Sequence, residues 1–186
     1  MRTGALDLLA TNHLNKNGSV FAYTFDGDLR DANTQITKYV LATGFSAITD
    51  ASSPPLAVDP LSRLPFVIYA RSTTQASGTA GPGVAVPFQP TPNDPSKKPA
   101  IFVSADNGNY VSLLTPASQD ADDWSYNLQY LADVGADVGG IAIDDVDSNG
   151  YSDILIPAYD LGWIVHYEMA PVVSPSGDEA TTLRAT

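Results

Sequence analysis

The chain has 186 residues and carries 9 Lys and Arg against 21 Asp and Glu, which gives a formal net charge of −12. So acidic a surface argues against nucleic acid as a partner and favours cations instead. The absence of cysteine excludes disulfides and thiol chemistry, and no apolar run is long enough to span a membrane.

The acidic residues are almost all aspartate, with 19 Asp and only 2 Glu. Asp favours turns and Glu favours helices, so this imbalance argues against helix. The 14 Gly and 14 Pro add further turn signals. Together these features predict an all-β fold with short strands.

The N-terminal segment predicts a β-hairpin. An apolar run over residues 7–11 and an aromatic-rich run over residues 19–25 flank a polar stretch that ends in Asn17-Gly18. Asn-Gly between alternating apolar runs is a strong hairpin signal, because glycine supplies the positive φ of such turns. An amphipathic strand is predicted to follow over residues 37–44.

Two long connections interrupt the strand pattern. Residues 46–82 contain several prolines and one strand-like run at residues 66–69, and residues 87–99 carry five prolines. Proline removes a backbone donor and disfavours central strands, so both stretches are predicted to be extended loops.

The second and third units repeat the plan of the first. Hairpins are predicted around Asp106-Asn107-Gly108 and around Asp160-Leu161-Gly162, each between apolar runs. Strands over residues 84–88 and 140–144 precede these hairpins, and an outer strand over residues 124–135 follows the second. Residues 171–186 are predicted to be a disordered end.

An inner strand, a hairpin and an outer strand therefore recur along the chain. Repeated antiparallel units that each lack a complete core are typical of a β-propeller. The pattern predicts a partial β-propeller of about three blades, over residues 4–45, 83–135 and 140–170. Residues 46–82 form the long connection between the first two.

The stretch of residues 145–153 is the most specific motif and reads D-x-D-x-N-G-x-x-D. Ca²⁺ typically takes about six to eight oxygen ligands, and a helix–loop–helix site requires Glu at loop position twelve. That position is Ile156 here, and the flanking runs are β-branched, so the loop is predicted to join two strands. An Asp-rich turn without metal is the alternative. The predicted Ca²⁺ ligands are Asp145, Asp147, Asn149, the carbonyl of Tyr151, and Asp153.

With this loop and its flanking strands, the chain resembles the FG-GAP/VCBS repeat family, the calcium-loop β-propellers found in integrin α-subunit heads and in many secreted proteins. The resemblance implies that residues 145–153 bind Ca²⁺ between the first and second strands of a blade. It covers residues 4–170 at the level of blades. Propellers of this family have about seven blades, so we expect this chain to be a fragment of a longer protein.

The other two units differ at the corresponding place. Aligning Asp7 with Asp153 places Gly4 on Gly150, so the chain is expected to begin inside a calcium loop. Residues 96–99 take the place of the loop in the second unit and carry no carboxylate. One complete calcium site is therefore expected.

Further polar residues are candidates for a ligand surface on the hairpin turns, at the end opposite the calcium loop. Solvated turn residues are the alternative interpretation. The candidates are Asn12, His13, Asp106, Asn107, Tyr159, Asp160 and Trp163.

Four other features are assigned structural roles. The acidic residues 120–123 are predicted to be a polar turn before a strand. Trp124, Trp163 and His166 are predicted to pack within blades. Asp26, Asp28 and Asp31 look like half a metal loop without a flanking strand pair.

The resemblance implies a calcium-stabilised binding or structural module, non-catalytic, in a secreted or cell-surface protein. No signal-peptide pattern is present in this chain. The expected partner is a protein or glycan, and open blade edges are expected to pair with missing blades or to oligomerise. The alternative is the propeller domain of a carbohydrate-active enzyme, of lyase or sugar dehydratase type.

Overall fold

The computed structural model describes residues 7–14, 18–45, 81–89, 97–106, 108–134, 136–146, 148, 152–173 and 179–185. Within these ranges the chain forms strands and a single turn of 3-10 helix, Tyr159–Leu161. The predicted all-β class is confirmed. The strands are β1 (Asp7–Asn12), β2 (Gly18–Asp26), β3 (Gln35–Phe45), β4 (Gly81–Phe88), β5 (Ala100–Asp106), β6 (Tyr110–Pro116), β7 (Tyr126–Asp133), β8 (Ala142–Asp144), β9 (Asp153–Ala158), β10 (Trp163–Val173) and β11 (Glu179–Ala185).

The strands form three antiparallel sheets, each with its strands in chain order. The first sheet is β1-β2-β3, the second is β4-β5-β6-β7, and the third is β8-β9-β10-β11. Every pair of neighbouring strands is antiparallel. The described strands thus make one three-stranded and two four-stranded meanders.

The three predicted hairpins are present. The last paired residues before each turn are Asn12 and Ser19, Ser104 and Val111, and Ala158 and Trp163. Gly162 ends the third turn with a φ of 65°, the left-handed conformation that its Asp-Leu-Gly sequence predicts. Residues 15–17, 46–80 and Asn107 lie outside the described residues, and so does the strand predicted at residues 66–69.

The second sheet lies between the other two. One face of β5, with Ile101 and Val103, packs against β2 and β3 of the first sheet. The opposite face of β5, with Phe102, packs against Ile154 and Ile156 of the third sheet. This alternation is why Ala100 through Val103 form a continuous apolar run, since a strand buried on both faces has no polar side.

The first strands of the sheets lie near one another, with β4 in contact with both β1 and β8. The Thr11 hydroxyl on β1 donates a hydrogen bond to the carbonyl of Gly83 on β4, at 2.5 Å. A Cβ at Gly83 would collide with the Ser104 hydroxyl, which accepts a hydrogen bond from the Val84 N–H at 2.8 Å, so a side chain there would disturb the contact between β4 and β5.

Three features differ from the sequence-based expectations. Residues 179–185, expected to be disordered, form β11 and pair with β10 from Tyr167 to Val173. The outer strand of the second sheet begins at Tyr126, because the side chain of Trp124 packs against the first sheet. The acidic residues 26–31, interpreted from the sequence as half a metal loop without a flanking strand pair, do lie between two paired strands, β2 and β3. Among the described residues, no helix is both long and apolar enough to cross a membrane.

Candidate metal centre

The acidic loop connects β8 to β9, the first two strands of the third sheet. The antiparallel register sets Asp144 opposite Asp153, so both ends of the loop are held by backbone pairing. Ser148 has a φ of 60°, a left-handed conformation that tightens the chain within the loop. Of the predicted ligands, Asp145 and Asp153 are described, while Asp147, Asn149 and Tyr151 lie outside the described residues.

Asp153 is the most buried acidic residue that the structure describes, with 0% of its surface exposed. Its Oδ2 accepts a hydrogen bond from the backbone N–H of Val146, at 2.8 Å. Its Oδ1 lies 3.3 Å from Nε2 of His166 on β10. A buried carboxylate is costly unless polar groups or cations surround it. Asp153 therefore anchors the start of the loop to the strand that ends it.

His166 is a partner of this carboxylate that the sequence analysis missed. It was assigned to packing, and its side chain is in fact half-buried beside Asp153. The signal was present in the third hairpin, because the turn at Gly162 sets His166 opposite Leu155. Asp153 is two residues from Leu155 on the same strand face, within reach of the imidazole.

The donor chemistry of the loop fits a hard cation. Three Asp carboxylates, an Asn amide and a backbone carbonyl are the oxygen ligands that Ca²⁺ prefers. Asp145 is half-buried, and its backbone N–H donates to Oδ1 of Asp144 at 2.9 Å. The described part of the chain holds no group of three or more acidic or His side chains arranged around a metal position. The central ligand Asp147 lies outside that part.

In the second sheet a lysine occupies the corresponding connection, between β4 and β5. Lys98 is only 6% exposed, and its Nζ donates a hydrogen bond to the backbone carbonyl of Asp123. Its backbone N–H donates to Oε1 of Gln119 at 2.9 Å. The sequence analysis recognised residues 96–99 as lacking metal ligands, but it did not identify Lys98 as a buried anchor.

Asp123 ends the predicted polar turn, which is confirmed. Its Oδ2 accepts a hydrogen bond from the Ser118 hydroxyl at 2.7 Å, and its Oδ1 accepts one from the backbone N–H of Ser125 at 2.9 Å. The hydrogen bond from Ser118, those from Ser125 and, as the smallest contribution, the charge of Lys98 lower the pKa of Asp123 to about 2.

The structure brings together part of the second predicted ligand surface. Nδ1 of His13 lies 3.1 Å from Oδ2 of Asp106, which joins the hairpin ends of the first and second sheets. Asn12 instead stabilises the β1–β2 hairpin, because its Oδ1 accepts a hydrogen bond from the Ser19 N–H at 2.9 Å. Asn107 lies outside the described residues.

The remaining members of that surface lie on the third sheet. Tyr159 and Trp163 are 78% and 59% exposed, and Oδ2 of Asp160 accepts a long hydrogen bond of 3.4 Å from the Asp137 N–H. The exposure of Trp163 shows that its assignment to packing was wrong. Trp124 is confirmed as a packing residue, since its ring stacks on Tyr39 with centroids 4.7 Å apart.

Thr11, His13 and Asp106 have the order of a hydroxyl, a base and an acid. Oγ1 of Thr11 lies 3.4 Å from Nε2 of His13. However, the Thr11 hydroxyl proton is directed to the Gly83 carbonyl and not to the imidazole. A nucleophile needs its proton on the base, so this arrangement fits a cross-sheet hydrogen-bond network and not nucleophilic catalysis.

Comparisons with protein-family profiles, with characterised proteins and with solved structures found no significant match to this chain.

Proposed function

We infer that this chain is a calcium-stabilised β-propeller module of the FG-GAP/VCBS type, with a binding or structural role and no catalytic one. The observation that carries the proposal is the position of the acidic loop. It lies between the first two strands of a four-stranded meander, and its last carboxylate is buried at the base of the second strand.

The ion would hold the loop closed. Asp145, Asp147 and Asp153 would supply carboxylate oxygens, and Asn149 and the Tyr151 carbonyl would complete the set. Without a cation, these carboxylates repel one another over a short distance. A bound Ca²⁺ removes this repulsion and thereby fixes β8 against β9.

The arrangement of the sheets supports the propeller part of the proposal. The sheets stack face to face, and the first strands of the second and third sheets, β4 and β8, are in contact, as the inner strands of neighbouring blades are. The first sheet has three strands where the others have four, and β1 corresponds to the second strand of a blade. An acidic, calcium-dependent module of this kind suits a secreted or cell-surface protein, where calcium is plentiful.

Thermal unfolding with and without calcium tests the proposal. Binding to the folded state alone stabilises it by about 2.7 kcal/mol at a hundredfold excess of ion over Kd. For a chain of this size, that raises Tm by roughly 5–10 °C. Circular dichroism in Ca²⁺, in Mg²⁺ and in EDTA measures the shift and confirms that the β fold is present. An unchanged Tm in a folded protein would refute calcium binding.

A further inference from the structure

The outer face of the first sheet is apolar and open to solvent. Leu8, Ile36 and Val40 are 53%, 61% and 54% exposed. Strand registers set Val40 opposite Phe21 and Ile36 opposite Phe25, so these side chains share the face turned away from the second sheet. We call this surface the front face; it comprises Leu8, Phe21, Phe25, Ile36, Lys38 and Val40.

The second sheet shows what the same strand position looks like when it is covered. Its strand β6 corresponds to β2, the central strand of the first sheet, and both faces of β6 are buried, with Val111 and Leu114 at 0% exposure. In β2 only the face carrying Val20 and Ala22 is covered by another sheet. Among the described residues no sheet covers the front face, which is therefore an unpartnered sheet-packing surface in that part of the chain.

The third sheet has a complementary open surface on its far side. Ile164 is 70% exposed and lies opposite Pro157, while Ala142 lies opposite Leu155. The contact between Asp153 and His166 places Asp144, which pairs with Asp153, on this same side. We call this surface the back face; it comprises Ala142, Asp144, Leu155, Pro157 and Ile164.

Charge selects which faces meet. The front face carries Lys38, whose Nζ lies 3.6 Å from the centroid of the Phe21 ring. The back face carries the exposed carboxylate of Asp144. Front against front would oppose two lysines, and back against back would oppose two aspartates. A front face packed on a back face pairs opposite charges. It also adds sheets in the same order as the first, second and third sheets stack within one chain.

We propose that the front face docks on the back face of a second copy of this chain. The contact is heterologous, so it joins copies head to tail and closes into a ring where the rotation per copy permits. This assembly adds a sheet–sheet contact of the kind already present twice within the chain. Asp153, a proposed calcium ligand, lies on the same strand face as Leu155, but it is fully buried and takes no part in the docking contact.

Disulfide trapping tests the proposal directly, because the chain has no native cysteine. The variants Val40→Cys and Ile164→Cys are prepared separately, mixed and oxidised mildly in EDTA and in Ca²⁺. We expect the mixed disulfide to exceed both homodisulfides several-fold. The matched control is Leu29→Cys, which is 52% exposed in the turn between β2 and β3. It is expected to give only the statistical ratio with either partner.

A charge swap checks the orientation independently. Sedimentation equilibrium should show association weakened roughly five- to tenfold in Lys38→Glu and in Asp144→Lys, and restored in the double variant. Melting curves of each variant verify that it is folded. A monomer at every concentration, statistical disulfide ratios, or dominant Val40→Cys homodisulfides would each overturn the proposal. The calcium-dependent Tm is a separate readout, so failure of either proposal leaves the other standing.

Discussion

The connections that precede β5 and β9 occupy the same place in two neighbouring sheets, yet their buried residues carry opposite charges. The connection to β9 carries Asp145, and β9 itself begins with the fully buried Asp153. Before β5 it places Lys98, whose buried ammonium group binds the carbonyl of Asp123. The connection to β9 is acidic, and an added cation can neutralise it. The connection to β5 instead contains a positively charged side chain, that of Lys98. We propose that a metal ion holds the first connection, whereas a buried lysine holds the second.

Removing the buried carboxylate is expected to have the largest effect on this comparison. Asp153→Ala leaves the Val146 N–H without its acceptor and removes one of the proposed Ca²⁺ ligands. We expect a loss of about 4–6 kcal/mol of unfolding free energy in saturating Ca²⁺ and about 1–3 kcal/mol in EDTA. Urea unfolding in both conditions measures the difference.

The control for that variant is Asp120→Ala, in the exposed turn before β7. The loss of unfolding free energy in Asp120→Ala should be small, and it should be the same in Ca²⁺ and in EDTA, because Asp120 lies outside the proposed calcium loop. If Asp153→Ala costs the same in both conditions as well, residues 145–153 form a polar turn without a metal ion.

Replacing the lysine tests the other connection. Lys98→Met keeps the aliphatic stem but removes the donor to the Asp123 carbonyl, which leaves a part-buried acceptor unsatisfied. We expect a loss of about 1–3 kcal/mol that does not depend on calcium. Lys97→Met, at the exposed neighbour, should change stability by less than about 0.5 kcal/mol. A calcium-dependent loss in Lys98→Met would show that the two connections are not equivalent alternatives.

The smallest expected effect concerns pH. The pKa of Asp123 is lowered to about 2 from its ordinary 3.8, so its stabilising contribution is complete above about pH 4. That contribution is lost as the pH falls through about 2, because protonation removes the acceptor charge. Ser118→Ala should raise the pKa of Asp123 towards 3.8, and Lys98→Met should raise it less. Carboxyl ¹³C titration by NMR gives both values; a larger shift in Lys98→Met would mean that charge, not hydrogen bonding, dominates.

Much of the fold was accessible to sequence reasoning because it rests on local rules. The Gly162 turn and the apolar runs around it predict the β9–β10 hairpin, and the apolar runs on either side of residues 106–108 predict the β5–β6 hairpin. The ends of the chain were harder. Strand β11 has a weak local signal and exists through pairing with β10, a contact that no short window of sequence contains.

The candidate sites divide in the same way. The ligand types and spacing of residues 145–153 indicate a cation loop, since those oxygens lie close together in sequence. His166 beside Asp153, and His13 beside Asp106, arise from pairing between strands or between sheets. The burial of Lys98 was not predicted, because lysines are mostly exposed and its neighbours, Lys97 and Pro99, are also residue types typical of the surface.

By itself, the sequence determined the all-β class, the three hairpins and the acidic loop that we propose binds Ca²⁺. Each of these depends on residues within about ten positions of one another, where backbone preference and alternation act directly. Only the tertiary structure decided that the second sheet is covered on both faces and that, among the described residues, the first and third sheets are each covered on one face. It also decided that a buried lysine takes the place of the loop, because stacking distributes burial among strands distant in sequence.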